Sequence, residues 1–88
     1  MKILFHDKAF LEYLSWQNTD KKTLKRINEL IKDIMRTPYE GIGKPEPLRY
    51  QLSGYWSRRI NIEDRLIYKI EGDLLIIISC PEHYKKNR

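Results

Sequence analysis

Cysteine is nearly missing from this chain: Cys80 is the single one among 88 residues. A chain so short in an oxidising compartment would carry several, paired into a disulfide framework, so a reducing cytoplasm is expected. Long apolar runs are missing too. No stretch approaches the roughly 20 apolar residues of a membrane span, and the opening MKILFHDKAF holds no run of signal-peptide length. No Walker loop, HExxH pair or EF-hand pattern occurs, which removes the common nucleotide, zinc-protease and calcium schemes. A chain of this size buries one core and has no mass left for a separate cofactor domain. Chemistry here must come from a few side chains on one scaffold, and no cofactor is expected.

What is present in excess is positive charge. Seventeen Lys and Arg stand against twelve Asp and Glu, a formal balance of +5. On so small a body this favours an anionic partner: nucleic acid, an acidic membrane surface or an acidic protein.

Ile3, Leu4 and Phe5 read as an opening strand or as the lead into a first helix. Asp7 is a candidate N-cap for that helix, in which Phe10, Tyr13, Leu14 and Gln17 fall at helical spacing beside Trp16. Asn18, Thr19 and Asp20 break it and cap a second helix. There Leu24, Ile27, Leu30, Ile31 and Ile34 make one apolar stripe, with Lys22, Lys25, Arg26, Glu29, Lys32 and Asp33 on the rest. Pro38 stops this helix, and the short turn between the two predicts an antiparallel helical hairpin. Two glycines and two prolines within 39–47 predict a shaped loop. Strands are expected over 48–52, 55–61, 65–71 and 74–80, with tight turns at Ser53-Gly54 and Gly72-Asp73. The last run, LLIIIS, is apolar on both faces and belongs in the middle of the sheet. The predicted fold is α+β: an N-terminal strand and a helical hairpin packed on one face of an antiparallel sheet. Residues 1–84 form one domain in this reading, followed by a basic tail over 85–88.

Strand alternation sorts the charges. Leu66, Tyr68 and Ile70 share one face, and Arg65, Ile67 and Lys69 the other. Tyr55, Ser57 and Arg59 likewise lie opposite Trp56, Arg58 and Ile60. With the helices on the Leu66 face, Arg59, Arg65 and Lys69 meet on the open face, where cations beside aromatics suit a phosphate backbone with unstacked bases. Solvation of a half-buried sheet is the plainer use of such residues. Glu46 stands between Pro45 and Pro47, so its backbone has little freedom. His83 follows the last strand, and histidine is the side chain whose unperturbed range suits proton transfer near neutrality. Cys80 and His83 have half of a zinc spacing, but no second cysteine completes it, so no metal is expected. Cys80 itself ends an apolar strand, where a thiol is inert packing. A carboxylate, a histidine and two or three arginines are sufficient for metal-free RNA cleavage: one group takes the 2′-hydroxyl proton, one protonates the leaving 5′-oxygen, and guanidinium donors hold the anionic phosphorane.

The block GKPEPLRYQLSGYWSRRINIEDRLIYKI, with the helical segments YLSWQ and KRINELIKDIMRTPYEG and the closing His83-Tyr84, resembles the YoeB-type toxins of the RelE/ParE superfamily. The resemblance runs over nearly the whole chain, and GKPEPL, LSGYWSRRI and the terminal His-Tyr are specific to it. It implies a type II toxin that cuts messenger RNA in the ribosomal A site, with Glu46 as general base and His83 as general acid. Arg65, with Arg59 beside it, would stabilise the transition state, and Tyr84 would orient the substrate. Lys44, Arg49 and Glu63 match positions that contact RNA or organise the site. A homodimer and a cognate antitoxin with a flexible acidic segment are implied as partners. The family pattern ends at His-Tyr, whereas this chain continues through Lys85, Lys86, Asn87 and Arg88. The alternative is a non-catalytic toxin or RNA-binding module of the same fold, acting on a protein such as DNA gyrase.

Overall fold

The computed structural model describes residues 1–80. Helix α2 (Lys21–Arg36) follows directly from the three- and four-residue spacing, with Ile27, Leu30, Ile31 and Ile34 as its buried stripe. Asp20 caps it, accepting from the Thr23 N–H at 3.1 Å and the Thr23 hydroxyl at 2.7 Å. Those bonds favour the ionised carboxylate and lower its pKa. The helix ends two residues before Pro38, because the proline ring excludes the helical conformation from the residue ahead of it. One residue of α2 departs from expectation. Asp33, assigned from spacing to the solvent-facing set, is buried.

Helix α1 (Asp7–Thr19) starts directly behind strand β1 (Lys2–Phe5). His6, not Asp7, is the capping residue: its N–H donates to Ile77 O at 3.0 Å, which holds it in extended conformation. Asp7 is therefore the first helical residue, where its charge complements the helix dipole without making a cap. The two helices pack as the expected hairpin, with the Tyr13 hydroxyl donating to Asn28 Oδ1 at 2.7 Å.

The sheet has five strands in the order β1-β5-β4-β3-β2, with β2 at Glu46–Pro47, β3 at Trp56–Arg59, β4 at Arg65–Glu71 and β5 at Leu74–Ser79. The apolar run of β5 is central, between β1 and β4, as expected. From β2 to β5 the pairing is antiparallel, but β1 joins β5 in parallel, so the sheet is mixed. The helical hairpin and three strands intervene between β1 and β5, and that long return crossover is what a parallel pair requires. The strand expected over 48–52 is displaced. Strand β2 covers only Glu46 and Pro47, one further bond runs from Leu48 N–H to Tyr55 O at 2.9 Å, and the chain then forms a 3₁₀ turn at Tyr50–Leu52, with Tyr50 at φ 57°. Pro45 and Pro47 lack N–H donors, which limits the ladder here to a short edge.

The helices cover the sheet face that carries Leu66, Tyr68, Leu75 and Ile77, against Trp16, Ile27, Leu30 and Ile34. The other face stays open. Helix α1 also holds the end of β5: Cys80 N–H donates to Glu12 Oε1 at 2.9 Å, Trp16 Nε1 donates to Cys80 O at 2.9 Å, and Cys80 Sγ donates to Ala9 O at 3.5 Å. Burial pushes the Cys80 thiol up to about 12, so it is protonated at neutral pH. Native protein should therefore resist a thiol-disulfide dye that reacts at once after unfolding in urea; rapid labelling of the native form would contradict this packing. His83, Tyr84 and the tail over 85–88 lie outside the described residues.

Candidate active site on the open face of the sheet

Strand register decides which side chains meet. Glu46 is opposite Ser57, Ser57 opposite Ile67, and Ile67 opposite Ser79, which makes one row across β2, β3, β4 and β5. Two residues further along β3, Arg59 is opposite Arg65. Residues two apart in a strand share a face at a spacing of about 7 Å, so Glu46, Arg59 and Arg65 project from the same open side. Arg58, between Ser57 and Arg59, points the other way into the core. Like charges directly opposed across strands repel, and an anion bound beside this pair would relieve that repulsion.

The loop between β3 and β4 holds Arg65. Its Nη1 donates to the carbonyls of Asn61 at 3.2 Å, Ile62 at 3.1 Å and Asp64 at 3.3 Å. The loop is stiffened by Asn61, whose side-chain oxygen accepts from the N–H groups of Glu63 at 2.9 Å and Asp64 at 2.7 Å. Its amide donates to Asp64 Oδ2 at 3.2 Å. Glu63 is exposed here and enters the network through its backbone. Arg59 is exposed, with its N–H on Gly43 O at 2.7 Å and its carbonyl accepting from Arg26 Nη2 at 3.1 Å.

Glu46 is exposed on its short edge strand. Of the RNA-contact candidates, Lys44 and Arg49 are exposed on either side of β2, and Lys44 sits at φ 51°. Lys69 is drawn off the site: its Nζ lies 2.8 Å from Glu71 Oε2 and 5.0 Å from the Tyr55 ring centroid. Among the described residues no three His, Cys, Asp or Glu side chains could hold a metal ion together.

A residue given no role from the sequence organises the approach to Glu46. The Arg58 side chain is fully buried. Its Nη1 donates to Asp33 Oδ2 at 2.5 Å and Ile42 O at 3.1 Å, and its Nη2 to Thr37 O at 2.6 Å and Glu40 O at 3.0 Å. Its Nε donates to the Tyr68 hydroxyl at 3.3 Å, which in turn donates to Pro38 O at 2.6 Å. Asp33 also accepts from Ile42 N–H at 3.0 Å and from Arg36 Nη2 at 2.7 Å. Its pKa falls to about 2, first through the Arg58 bond and then the Arg36 bond. Gly41 is forced by this packing: at φ +125°, an added Cβ would lie 2.0 Å from Asp33 Oδ2. The signal available in the sequence was Arg58 alone, a charge on the Trp56 and Ile60 side of its strand, because a buried charge persists only with a partner.

Over residues 5–84 the chain matches the family model described as the YoeB-like toxin of bacterial type II toxin–antitoxin systems. The chain belongs to this family. It is a type II toxin, and the matched span includes Glu46, Arg59 and Arg65 and stops just short of the basic tail. It is 55% identical to toxin YoeB of Escherichia coli K12 over 84 residues, which is 96% of this chain and all of that protein. It is similar to the Staphylococcus aureus toxin in the crystal structure of the heterotetrameric YoeB–YefM toxin–antitoxin complex. There the TM-score is 0.88 and the identity 49%, over 96% of this chain and 98% of that one. The structure of the S. aureus YoeB dimer gives a TM-score of 0.87 at 49% identity, with the same coverage of both chains. The toxin thus has the α+β architecture of its relatives, with the helices on one face and the charged residues on the other.

Proposed function

We propose that this toxin is a ribosome-dependent endoribonuclease that cuts messenger RNA in the A site by metal-free acid–base chemistry. The observation that carries the reading is the Arg59–Arg65 pair, two opposed cations one row from the Glu46 carboxylate on the open sheet face. Such a pair calls for a phosphate. In this scheme Glu46 takes the proton of a 2′-hydroxyl, whose oxygen then bonds to the adjacent phosphorus. Arg65, with Arg59 beside it, neutralises the phosphorane. The phosphorus–O5′ bond breaks as His83 protonates the leaving oxygen, and Tyr84 orients the substrate. The end of β5, which precedes His83 in the chain, lies in the same row as Glu46, three strand spacings away.

Lys44, Arg49 and Glu63 serve substrate contact in this reading. The +5 balance suits ribosomal RNA as well as the acidic segment of a cognate antitoxin. By likeness to the S. aureus proteins, the toxin pairs with an antitoxin and with a second copy of itself.

Primer extension on a message in a reconstituted translation system tests the reading. New 5′ ends inside codons should appear only when ribosomes translate in the presence of the protein. An intact translated message would overturn the nuclease, and equal cutting of the message without ribosomes would overturn its ribosome dependence. Inhibition of DNA supercoiling without ribosomes would point to the gyrase alternative.

A further inference from the structure

Between α2 and β2 the chain crosses from the helical layer to the sheet without regular structure, yet its carbonyls are collected one after another. Those of Thr37, Glu40 and Ile42 meet the Arg58 guanidinium, and that of Pro38 meets the Tyr68 hydroxyl. The carbonyl of Gly43 then accepts from Arg59 N–H at 2.7 Å, and three residues later the chain reaches Glu46. Beyond this point the sheet's own hold is short, a two-residue strand followed by one bond from Leu48 N–H to Tyr55 O at 2.9 Å. Of Pro45, Glu46 and Pro47, only Glu46 carries a backbone N–H.

We infer that the buried Asp33–Arg58–Tyr68 clasp is the positioning device for Glu46, setting where its carboxylate stands relative to Arg59 and Arg65. The inference rests on the base role proposed for Glu46. Arg58 never reaches the open face, so it acts through the loop it fixes. Its neighbours Ser57 and Arg59 are the residues that meet Glu46 and Arg65 across the sheet. One strand therefore ties the base-bearing loop below and presents a phosphate-binding group above. The planar fork matters: one guanidinium reaches five acceptors here, which the compact ammonium of lysine cannot do.

The test is a double-mutant cycle on cleavage of a translated message, using Arg58→Lys, Glu46→Ala and the combination. Arg58→Lys should slow cleavage by about 10²-fold, the size of effect expected from displacing a catalytic group by about 1 Å. In the Glu46→Ala background the same change should slow the residual cleavage less than about 3-fold, because the group being positioned is gone. A clasp that merely keeps the chain folded would lower both backgrounds by the same factor. Losses that multiply, or full-rate cleavage by Arg58→Lys, would overturn the inference. If Arg58→Lys fails to fold, Tyr68→Phe carries the cycle: it keeps the buried ring and deletes only the hydroxyl between Arg58 and Pro38, with an expected loss of about 10-fold by the same geometric reasoning. Full cleavage by Glu46→Ala alone would instead refute the base assignment, a different outcome from failure of the cycle.

Discussion

Alanine at Glu46 is expected to lower the cleavage rate of a translated message by about 10²–10⁴-fold, and alanine at His83 to do the same. This is the usual contribution of general base or acid catalysis, about 3–5.5 kcal/mol of barrier. The Glu46 result is informative because the side chain is exposed on an edge strand. Removing it opens no cavity and leaves no buried partner unpaired, so the melting temperature should stay within the small range typical of surface substitutions. The loss then belongs to the chemical step. Rates should be read from primer extension at matched concentrations of folded protein. Retained cleavage in either variant would remove that residue from its role, and a large drop in melting temperature for Glu46→Ala would mean that the edge strand depends on the carboxylate.

The second large effect concerns stability. Asp33→Asn removes the counter-charge of a fully buried arginine, and breaking such a pair costs about 3–5 kcal/mol. A domain of this kind has about 5–15 kcal/mol in all, so the variant stands near its unfolding threshold. The pH dependence has a definite sign. In the folded chain the Arg58 and Arg36 guanidinium groups hold Asp33 at about 2, against 3.8 for the free group. Between these values the unfolded chain binds the extra proton, so the contribution is complete above about pH 4 and is lost as pH falls through 2. Urea midpoints should show the variant far below the wild type at pH 7, with the gap closing toward pH 2. Equal midpoints at pH 7 would mean that the clasp adds nothing to the fold.

The clasp also shows why part of the site was unreadable. Helix α2 was legible from its stripe of isoleucines and leucines, its Asp20 cap and its Pro38 stop, because all three are local. Strands β4 and β5 were legible through their alternation and apolar run, and period two placed Arg59 and Arg65 on the open face once the helices were set on the Leu66 side. Asp33 and Arg58 escape a local reading for a common reason. Each is a charge whose favourable state exists only when the other is present, and they are 25 residues apart. The local pattern of α2 assigns Asp33 to water, and only the fold brings Arg58 to it. The displaced strand at 48–52 has a similar origin. Its residues suit a strand, but the turn at Tyr50 and the prolines around Glu46 leave strand β2 only two residues long.

The chain by itself determined a small basic α+β domain, its helical hairpin, the inward and outward faces of its strands and the candidates Glu46, Arg59 and Arg65. These depend on periodicity, capping and charge, which act within a few residues. Tertiary structure alone decided that β1 joins β5 in parallel, that Glu46 stands one row from a pair of opposed arginines, and that a buried guanidinium holds the loop leading to it. Those outcomes depend on strand register and on the pairing of distant charges. Both are set by the collective burial of the core, which no local stretch of sequence specifies.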